Sequence, residues 1–289
     1  MRRQDPLLTQ LTESAHRYSR TQKVLAKFIT GDYEKVAFST IRQLAQFAHV
    51  SEATIVRFAK ALGFRGYPAF QKEIRRIVRA DLKGNERFRI AFAAPKANGT
   101  SLPAFIRKEV ENLSYLHENF DGRAFKKGVS AIRKAKEILV VGTRSTAPLA
   151  YHFWFGLTKL GFKASRVIAI TTETYDTIGT LDRTSLIVVI GFPRYLRELI
   201  DLLKFSKGRG IPSITITDSP LSSLKGDISL YTPAESISFM AFHCAPLVLI
   251  NTIINELSLW DQQRASQALH RFEALAEKRK YFDESNLKP

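Results

Sequence analysis

Residues 36–67 read VAFSTIRQLAQFAHVSEATIVRFAKALGFRGY, and the spacing of their apolar positions predicts two short helices joined by a tight turn. The first helix is predicted over Phe38–Ala48, where Thr40 and Gln43 are spaced as a capping box. The second is predicted over Glu52–Leu62, between an N-cap serine and a glycine at the C′ position. This arrangement is typical of a helix-turn-helix.

The turn between these helices contains His49, where such motifs commonly place a glycine with a positive φ. Histidine tolerates that region better than most residues, so we expect the turn to form. Ala45, Val50, Ile55 and Phe58 are spaced to share one apolar wedge, which leaves the second helix free to lie in a DNA groove.

The second helix carries side chains suited to nucleic acid. Ser51 and its neighbours would turn free N–H groups and a positive helix end towards phosphate, and Arg57 would reach phosphate or a guanine edge. Two alternatives stay open: Ser51 and Thr54 only cap and pack the helix, or Arg57 only neutralises phosphate. The residues expected to contact DNA are Ser39, Thr40, Ser51, Glu52, Ala53, Thr54, Arg57, Lys60 and Arg65.

The charge of the chain favours the same partner. The net charge is +17 over 289 residues, and its excess is +9 in residues 1–80, +6 in 81–136 and +2 in 137–289. A positive field confined to the front of the chain attracts phosphate polyanions, although a basic face kept for solubility is the alternative.

Beyond Lys136 short aliphatic runs alternate with segments of helix length, except between the last two runs. Such alternation predicts a doubly wound, mostly parallel sheet covered by helices. The predicted strands are Glu137–Val141, Ala164–Ile170, Ser185–Ile190, Pro212–Thr217 and Asp227–Tyr231, and the predicted helices are Ala104–Asn119, Phe125–Lys136, Phe239–Leu259 and Ala265–Phe282.

We therefore expect an all-α helix-turn-helix domain over residues 1–80, a linker over 81–101 and an α/β domain over 102–289. The single cysteine, Cys244, cannot form an internal disulfide, and the longest apolar runs fall short of the roughly 20 residues of a membrane-spanning helix. We expect a cytoplasmic protein with no membrane partner, cofactor or metal site.

The run Val36–Ala45 together with Val50–Tyr67 resembles the N-terminal domain of RpiR-type bacterial transcriptional regulators. The stretch VRFAKALGFRGY carries the likeness most clearly, since Gly63 and Gly66 stand where that family has glycines. The resemblance implies a C-terminal SIS domain, a doubly wound fold that binds phosphosugars, and residues 137–289 resemble one.

Three loops carry the SIS likeness, and two of them depart from the family pattern. The family's first loop reads Gly-x-Gly-x-Ser, whereas Arg144 stands here at the second glycine. The family's second loop, Ser-x-Ser-Gly-x-Thr, is replaced by Gly191–Leu196, which lacks all three hydroxyl residues. Both loops contain arginine, and a guanidinium group binds phosphate or carboxylate well. The alternative is that Arg194 and Arg197 are only solvated. The residues expected to bind ligand are Gly142, Thr143, Arg144, Ser145, Thr146, Gly191, Phe192, Arg194, Tyr195, Arg197, Asp218 and Ser219.

A DNA-binding domain joined to a ligand-binding domain predicts a transcriptional regulator that senses a small anion such as a sugar phosphate. Two alternatives remain: a phosphosugar isomerase with a basic appendage, or a DNA-binding protein whose C-terminal domain only dimerises. The isomerase would need a base, and its candidates stand in no specific motif: Glu173, Glu198, Glu235, His152 and His243. We expect no catalysis, and we expect core or interface roles for His152 and His243. The resemblance also implies a homodimer or homotetramer, supported by the apolar Phe239–Leu259 segment.

Overall fold

The computed structural model describes residues 6–81, 102–238, 240, 241 and 243–282. The chain divides into two compact units, one formed mostly by residues before 96 and the other mostly by residues after it. Within the described residues no helix is both long and apolar enough to span a membrane. The predicted linker over 81–101 lies outside the described residues, apart from Asp81 at the end of a helix.

The first unit is helical. Its helices are α1 (Pro6–Glu13), α2 (Arg20–Gly31), α3 (Tyr33–Phe38), α4 (Ile41–Ala48), α5 (Glu52–Ala61) and α6 (Tyr67–Asp81), with a 3₁₀ turn at Ser14–Arg17. Ser19 and Gln22 form a capping box at α2, and Thr40 and Gln43 form the predicted one at α4. These paired hydrogen bonds satisfy N–H groups that a helix start otherwise leaves open.

One boundary prediction in this unit is wrong. The helix expected from Phe38 begins only at Ile41, because Thr40 is an extended N-cap and Phe38 ends the separate helix α3. The turn after α4 forms as expected, since His49 is left-handed at φ 52°. Ile55 and Phe58 of α5 are buried with Leu44 of α4, so the two helices share the predicted core.

The second unit is a five-stranded parallel sheet in the order β2-β1-β3-β4-β5. Its strands are β1 (Glu137–Val141), β2 (Ala164–Val167), β3 (Ser185–Ile190), β4 (Ser213–Thr217) and β5 (Ile228–Tyr231). Its helices are α7 (Leu102–Glu118), α8 (Gly122–Lys134), α9 (Ala147–Lys159), α10 (Thr172–Thr180), α11 (Arg197–Gly208), α12 (Cys244–Trp260) and α13 (Gln262–Arg279). The predicted fold class is confirmed, although β2 ends at Val167 rather than Ile170.

Alternating residues of the strands fill two cores. Ile138, Val140 and Val188 face a core shared with α8, α9 and α12, whereas Leu139 and Val189 face a core shared with α10 and α11. A strand turns successive side chains to opposite faces, so helices on both sides are required to bury it. This covering makes the sheet doubly wound.

Three helix predictions in this unit need correction, and the last helix, expected over Ala265–Phe282, is Gln262–Arg279. The segment expected as a helix from Phe239 is helical from Cys244, and Phe239 and Phe242 lie outside the described residues. The helix expected from Phe125 begins at Gly122, because the carboxylate of Asp121 accepts hydrogen bonds from the amides of Arg123 and Ala124.

Candidate functional site

The outer face of α5 is polar and exposed. Its N-cap Ser51 accepts a hydrogen bond from the amide of Thr54 at 3.2 Å, and the two hydroxyl oxygens lie 2.8 Å apart. Arg57 Nη2 donates to Thr54 Oγ1 at 3.4 Å, so the guanidinium lies along the helix face. Glu52, Ala53, Arg57 and Lys60 are all exposed on this face. The exposed face of α5 therefore carries the hydroxyl of its N-cap Ser51 and two cations, Arg57 and Lys60.

The other predicted DNA contacts lie in different environments. Thr40 and Arg65 are exposed. Ser39 is only 5% exposed, and its hydroxyl donates to the carbonyl of Lys35 at 2.6 Å. Its own carbonyl accepts from the buried hydroxyl of Tyr67 at 2.8 Å, and burial raises the pKa of Tyr67 to about 12. Ser39 is thus held to α3 by its hydroxyl and to α6 by its backbone carbonyl.

The carboxyl edge of the sheet holds the second candidate site. The strand order reverses between β1 and β3, which is where open α/β sheets form a crevice for ligands. The loops after β1 and β3 are tied together there, because the hydroxyl of Thr146 donates to the carbonyl of Ile190 at 3.0 Å. The loop after β4 joins them through a hydrogen bond from the hydroxyl of Tyr195 to the carboxylate of Asp218. The structure thus brings the three predicted loops together.

Two arginines of these loops adopt the conformation that glycine usually supplies. Arg144 has φ 55° and Arg194 has φ 69°, and both side chains are exposed. A left-handed residue with a side chain costs about 1–2 kcal/mol, and such strain concentrates at functional sites. The glycines beside them are fixed by packing: a Cβ on Gly142 would lie 2.8 Å from the carbonyl oxygen of Thr146, and one on Gly191 would overlap Leu224.

The helices that begin at this edge lack a hydrogen bond from the side chain of their own N-cap residue. At α9, α11 and α12 the N-cap residues Thr146, Leu196 and His243 make no side-chain cap hydrogen bond. Helix α12 borders the loop after β3, since the His243 ring lies 6.1 Å from the ring of Phe192 between centroids. Open N–H groups and positive helix ends favour an anion.

The remaining predicted ligand residues differ in exposure. Ser145 and Arg197 are exposed, and Arg197 Nε lies 3.7 Å from Asp201 Oδ2 on the first turns of α11. Thr143, Phe192 and Ser219 are buried. The hydroxyl of Thr143 has no hydrogen-bond partner in the part of the chain that the structure describes. A buried polar group of this kind needs a partner supplied by water or ligand.

The sequence does not identify His243 as part of the crevice. His243, expected as a core or interface histidine, precedes α12, and its buried Nε2 has no hydrogen-bond partner among the described residues. Burial lowers the pKa of His243, so the ring is neutral at pH 7, while the nearby carboxylate of Glu109 acts in the opposite direction. His152, by contrast, is paired with Asn251 at 2.6 Å, as a packing histidine would be.

Two of the acid–base candidates, both carboxylates, are engaged in other contacts. Glu235 is bound by Lys108 at 2.8 Å, and the hydroxyl of Thr171 lowers the pKa of Glu173, away from the range of a general base at neutral pH. Among the described residues no three His, Cys, Asp or Glu side chains are grouped as metal ligands.

A helix-turn-helix unit followed by a doubly wound unit with a crevice suited to anions is the architecture of a ligand-responsive transcription factor. Residues 6–78 match the family model for the helix-turn-helix domain of the rpiR family, and residues 131–255 match the SIS domain. The chain thus combines an rpiR-family helix-turn-helix domain with a SIS domain, which is the organisation that the resemblance to RpiR-type transcriptional regulators predicts.

Known proteins of the same organisation match along most of the chain. The HTH-type transcriptional regulator HexR of Pseudomonas aeruginosa is 25% identical over 270 residues, which cover 88% of this chain and 89% of HexR. The sugar isomerase domain of an RpiR transcription factor from Sphaerobacter thermophilus has a TM-score of 0.59 at 24% identity, over 61% of this chain and 99% of that one. The Vibrio vulnificus NanR protein, solved in complex with ManNAc-6P, has a TM-score of 0.56 at 20% identity, over 94% of this chain and 98% of NanR.

Proposed function

We propose that this regulator binds operator DNA through α5 and that an anionic metabolite, with a sugar phosphate as the leading class, binds the carboxyl-edge crevice. The observation that carries the effector proposal is that two helix N-termini without side-chain caps meet left-handed Arg144 and Arg194 at the β1/β3 reversal. The ManNAc-6P complex of NanR supports a phosphosugar.

The proposed DNA surface follows from exposure. It comprises the predicted residues apart from Ser39, whose hydroxyl is buried, so its members are Thr40, Ser51, Glu52, Ala53, Thr54, Arg57, Lys60 and Arg65. Arg57 is the best candidate for base contact, because Thr54 orients a guanidinium that would otherwise sample many rotamers. Lys60 and Arg65 suit phosphate.

The proposed effector contacts are backbone amides and guanidinium groups. The amides of residues 143–145 and 194–197 lie at or just before the helix starts, and Arg144, Arg194 and Arg197 provide charge. Thr146 and Tyr195 act through position, since the hydroxyl of each is bonded to a neighbouring loop. Thr143 and Ser219 are buried, so their side chains would contact the innermost part of a bound ligand.

The remaining assignments extend this proposal. A non-enzymatic role is supported by the engaged carboxylates, and a cytoplasmic location by the DNA-binding role. A homodimer or homotetramer is supported by exposed apolar residues on the helices of the second unit, such as Phe155 and Val248. The domain boundaries proposed from the sequence, 1–80, 81–101 and 102–289, are retained.

The DNA proposal is tested by selecting bound duplexes from a random pool and titrating the selected site against a scrambled one at two salt concentrations. Arg57→Ala should weaken the selected site by about 10- to 100-fold, while the matched variant Lys27→Ala, an exposed cation on α2, should leave it nearly unchanged. Equal binding of both duplexes would leave only a generic basic module.

The effector proposal is tested by calorimetric titration of the full chain with N-acetylmannosamine 6-phosphate, inorganic phosphate and the unphosphorylated sugar. Binding of the phosphorylated compounds alone, weakened by Arg144→Ala, supports the crevice. Turnover of a sugar phosphate would instead establish the isomerase alternative.

A further inference from the structure

Helix α7 is fastened to the segment between β5 and α12 by a cluster of polar contacts. Lys108 Nζ lies 2.8 Å from Glu235 Oε2 and 3.0 Å from Glu111 Oε2, and the Lys108 and Glu235 side chains are only 15% and 24% exposed. Asn112, which is 3% exposed, donates to the backbone carbonyl of Glu235 at 2.8 Å. Charge-assisted bonds with this little exposure fix α7 against the segment.

Lys108 lies between two carboxylates in this cluster. Burial lowers the pKa of Lys108, but the hydrogen bonds and charges of Glu235 and Glu111 outweigh it, so the pKa is raised overall. Lys108 is therefore cationic at neutral pH, and its hydrogen bond to Glu235 is charge-assisted.

Glu109 extends the same contact to the start of α12. The amide of Cys244, the first residue of α12, donates to Glu109 Oε1 at 3.5 Å, and Asn112 Nδ2 donates to Glu109 Oε2 at 3.4 Å. The N-cap His243 supplies no side-chain bond of its own to this helix end. A carboxylate from α7 thus stands where an anion is stabilised by the helix dipole.

This helix end borders the proposed effector crevice. The ring of His243 lies 6.1 Å from Phe192, which belongs to the loop that follows β3 and carries Arg194. Helix α7 is also the first described element of the second unit, so in the sequence it is the element that follows the DNA-binding unit.

We propose that Glu109 acts as an internal anion that occupies the α12 N-terminus, and that the effector's anionic group competes with it and releases α7. The inference rests on the proposed function of the crevice. An effector that binds only after Glu109 has withdrawn binds one position of α7 more tightly than the other, which is the condition for a switch. By reciprocity, docked α7 weakens anion binding.

The test compares Glu109→Gln with Glu111→Gln in the full chain. Both changes remove one carboxylate from α7, but Glu111 is 66% exposed and bonds only Lys108 among the contacts described, so its loss is a matched control. Calorimetric titration with N-acetylmannosamine 6-phosphate and with inorganic phosphate measures the anion affinity. Titration of the selected operator, with and without each probe, measures coupling, and thermal unfolding checks that the variants are folded.

We expect Glu109→Gln to bind the probe about 2- to 5-fold more tightly than the wild type, the range of a single charge at a helix end. Without the probe its operator affinity should already equal that of the probe-bound wild type, while Glu111→Gln follows the wild type. Binding by Glu109→Gln alone also supports the inference. Equal probe affinity in wild type and Glu109→Gln overturns the inference but leaves the proposed function, whereas binding by none of the three proteins overturns both.

Discussion

The left-handed arginine at the first crevice loop allows a prediction in which stability and ligand affinity change separately. Arg144 holds φ 55° with an exposed side chain, so its backbone strain and its charge are removed by different substitutions. Arg144→Ala removes the guanidinium but keeps a Cβ at this φ, whereas Arg144→Gly removes both the charge and the steric cost. The difference between the two variants isolates the backbone.

The magnitudes follow from that geometry. Relief of the left-handed conformation should make Arg144→Gly more stable than Arg144→Ala by about 1 kcal/mol, which corresponds to roughly 2–4 °C in the unfolding midpoint of a unit of this size. Loss of a charge-assisted hydrogen bond, about 1.5–3 kcal/mol, should weaken phosphate or sugar-phosphate binding about 10- to 100-fold in both variants.

Two assays on the same protein samples decide the outcome. Differential scanning calorimetry compares the two variants in stability, and isothermal titration with N-acetylmannosamine 6-phosphate compares each with the wild type. Arg194, at φ 69° in the loop after β3, provides an independent repetition. If the glycine variant proves no more stable than the alanine variant, the strain reasoning fails; if both keep wild-type affinity for a bound anion, Arg144 is not part of the site.

Three further predictions concern stability. Gly142→Ala should destabilise the second unit by about 1–3 kcal/mol, because its Cβ would lie 2.8 Å from the Thr146 carbonyl oxygen and 2.9 Å from Ala150 Cβ; chemical denaturation measures the loss, and a wild-type midpoint would contradict the packing. Tyr67→Phe should cost about 1 kcal/mol in the same assay, since one of two donors to the Ser39 carbonyl is lost while Gln71 remains; no loss would mean that Gln71 satisfies the carbonyl alone. The folded pKa of His243 lies below its ordinary 6.5, so its contribution to stability is complete above pH 6.5 and is lost as the pH falls below it; unfolding midpoints measured downward from pH 6.5 should fall less steeply for His243→Gln than for wild type, and parallel curves would exclude the linkage.

Local signals explain what the sequence predicts well. The capping box of Thr40 and Gln43 lies within one turn, and the left-handed His49 ends α4 as the turn pattern requires. The strands are short runs rich in β-branched or aliphatic residues, and every residue of β3 and β4 is buried. Their composition alone therefore predicts these strands. Such features depend on neighbours a few residues away.

Features that depend on distant residues could not be predicted in the same way. The sequence predicts Ser39 at the DNA surface. In the structure its carbonyl accepts hydrogen bonds from Tyr67 and Gln71, which lie about 30 residues further along the chain, and Ser39 is buried in the first unit. The pairing of Lys108 with Glu235 joins residues separated by 127 positions. No spacing rule specifies such contacts, because they follow from how helices pack on the finished sheet.

The substitutions in the crevice loops have a common physical consequence. Hydroxyl groups in a cradle offer neutral bonds whose directions select a ligand by shape, whereas guanidinium groups offer charge and paired donors that accept phosphate and carboxylate alike. This chain has no serine or threonine in the loop after β3, and it holds a left-handed arginine in that loop and another in the loop after β1. Its affinity should therefore depend more on the charge of the ligand, and fall more steeply with salt, than that of a hydroxyl cradle. An internal carboxylate such as Glu109 is then a suitable competitor, because in a site selective for charge any well-placed anion can occupy the helix end.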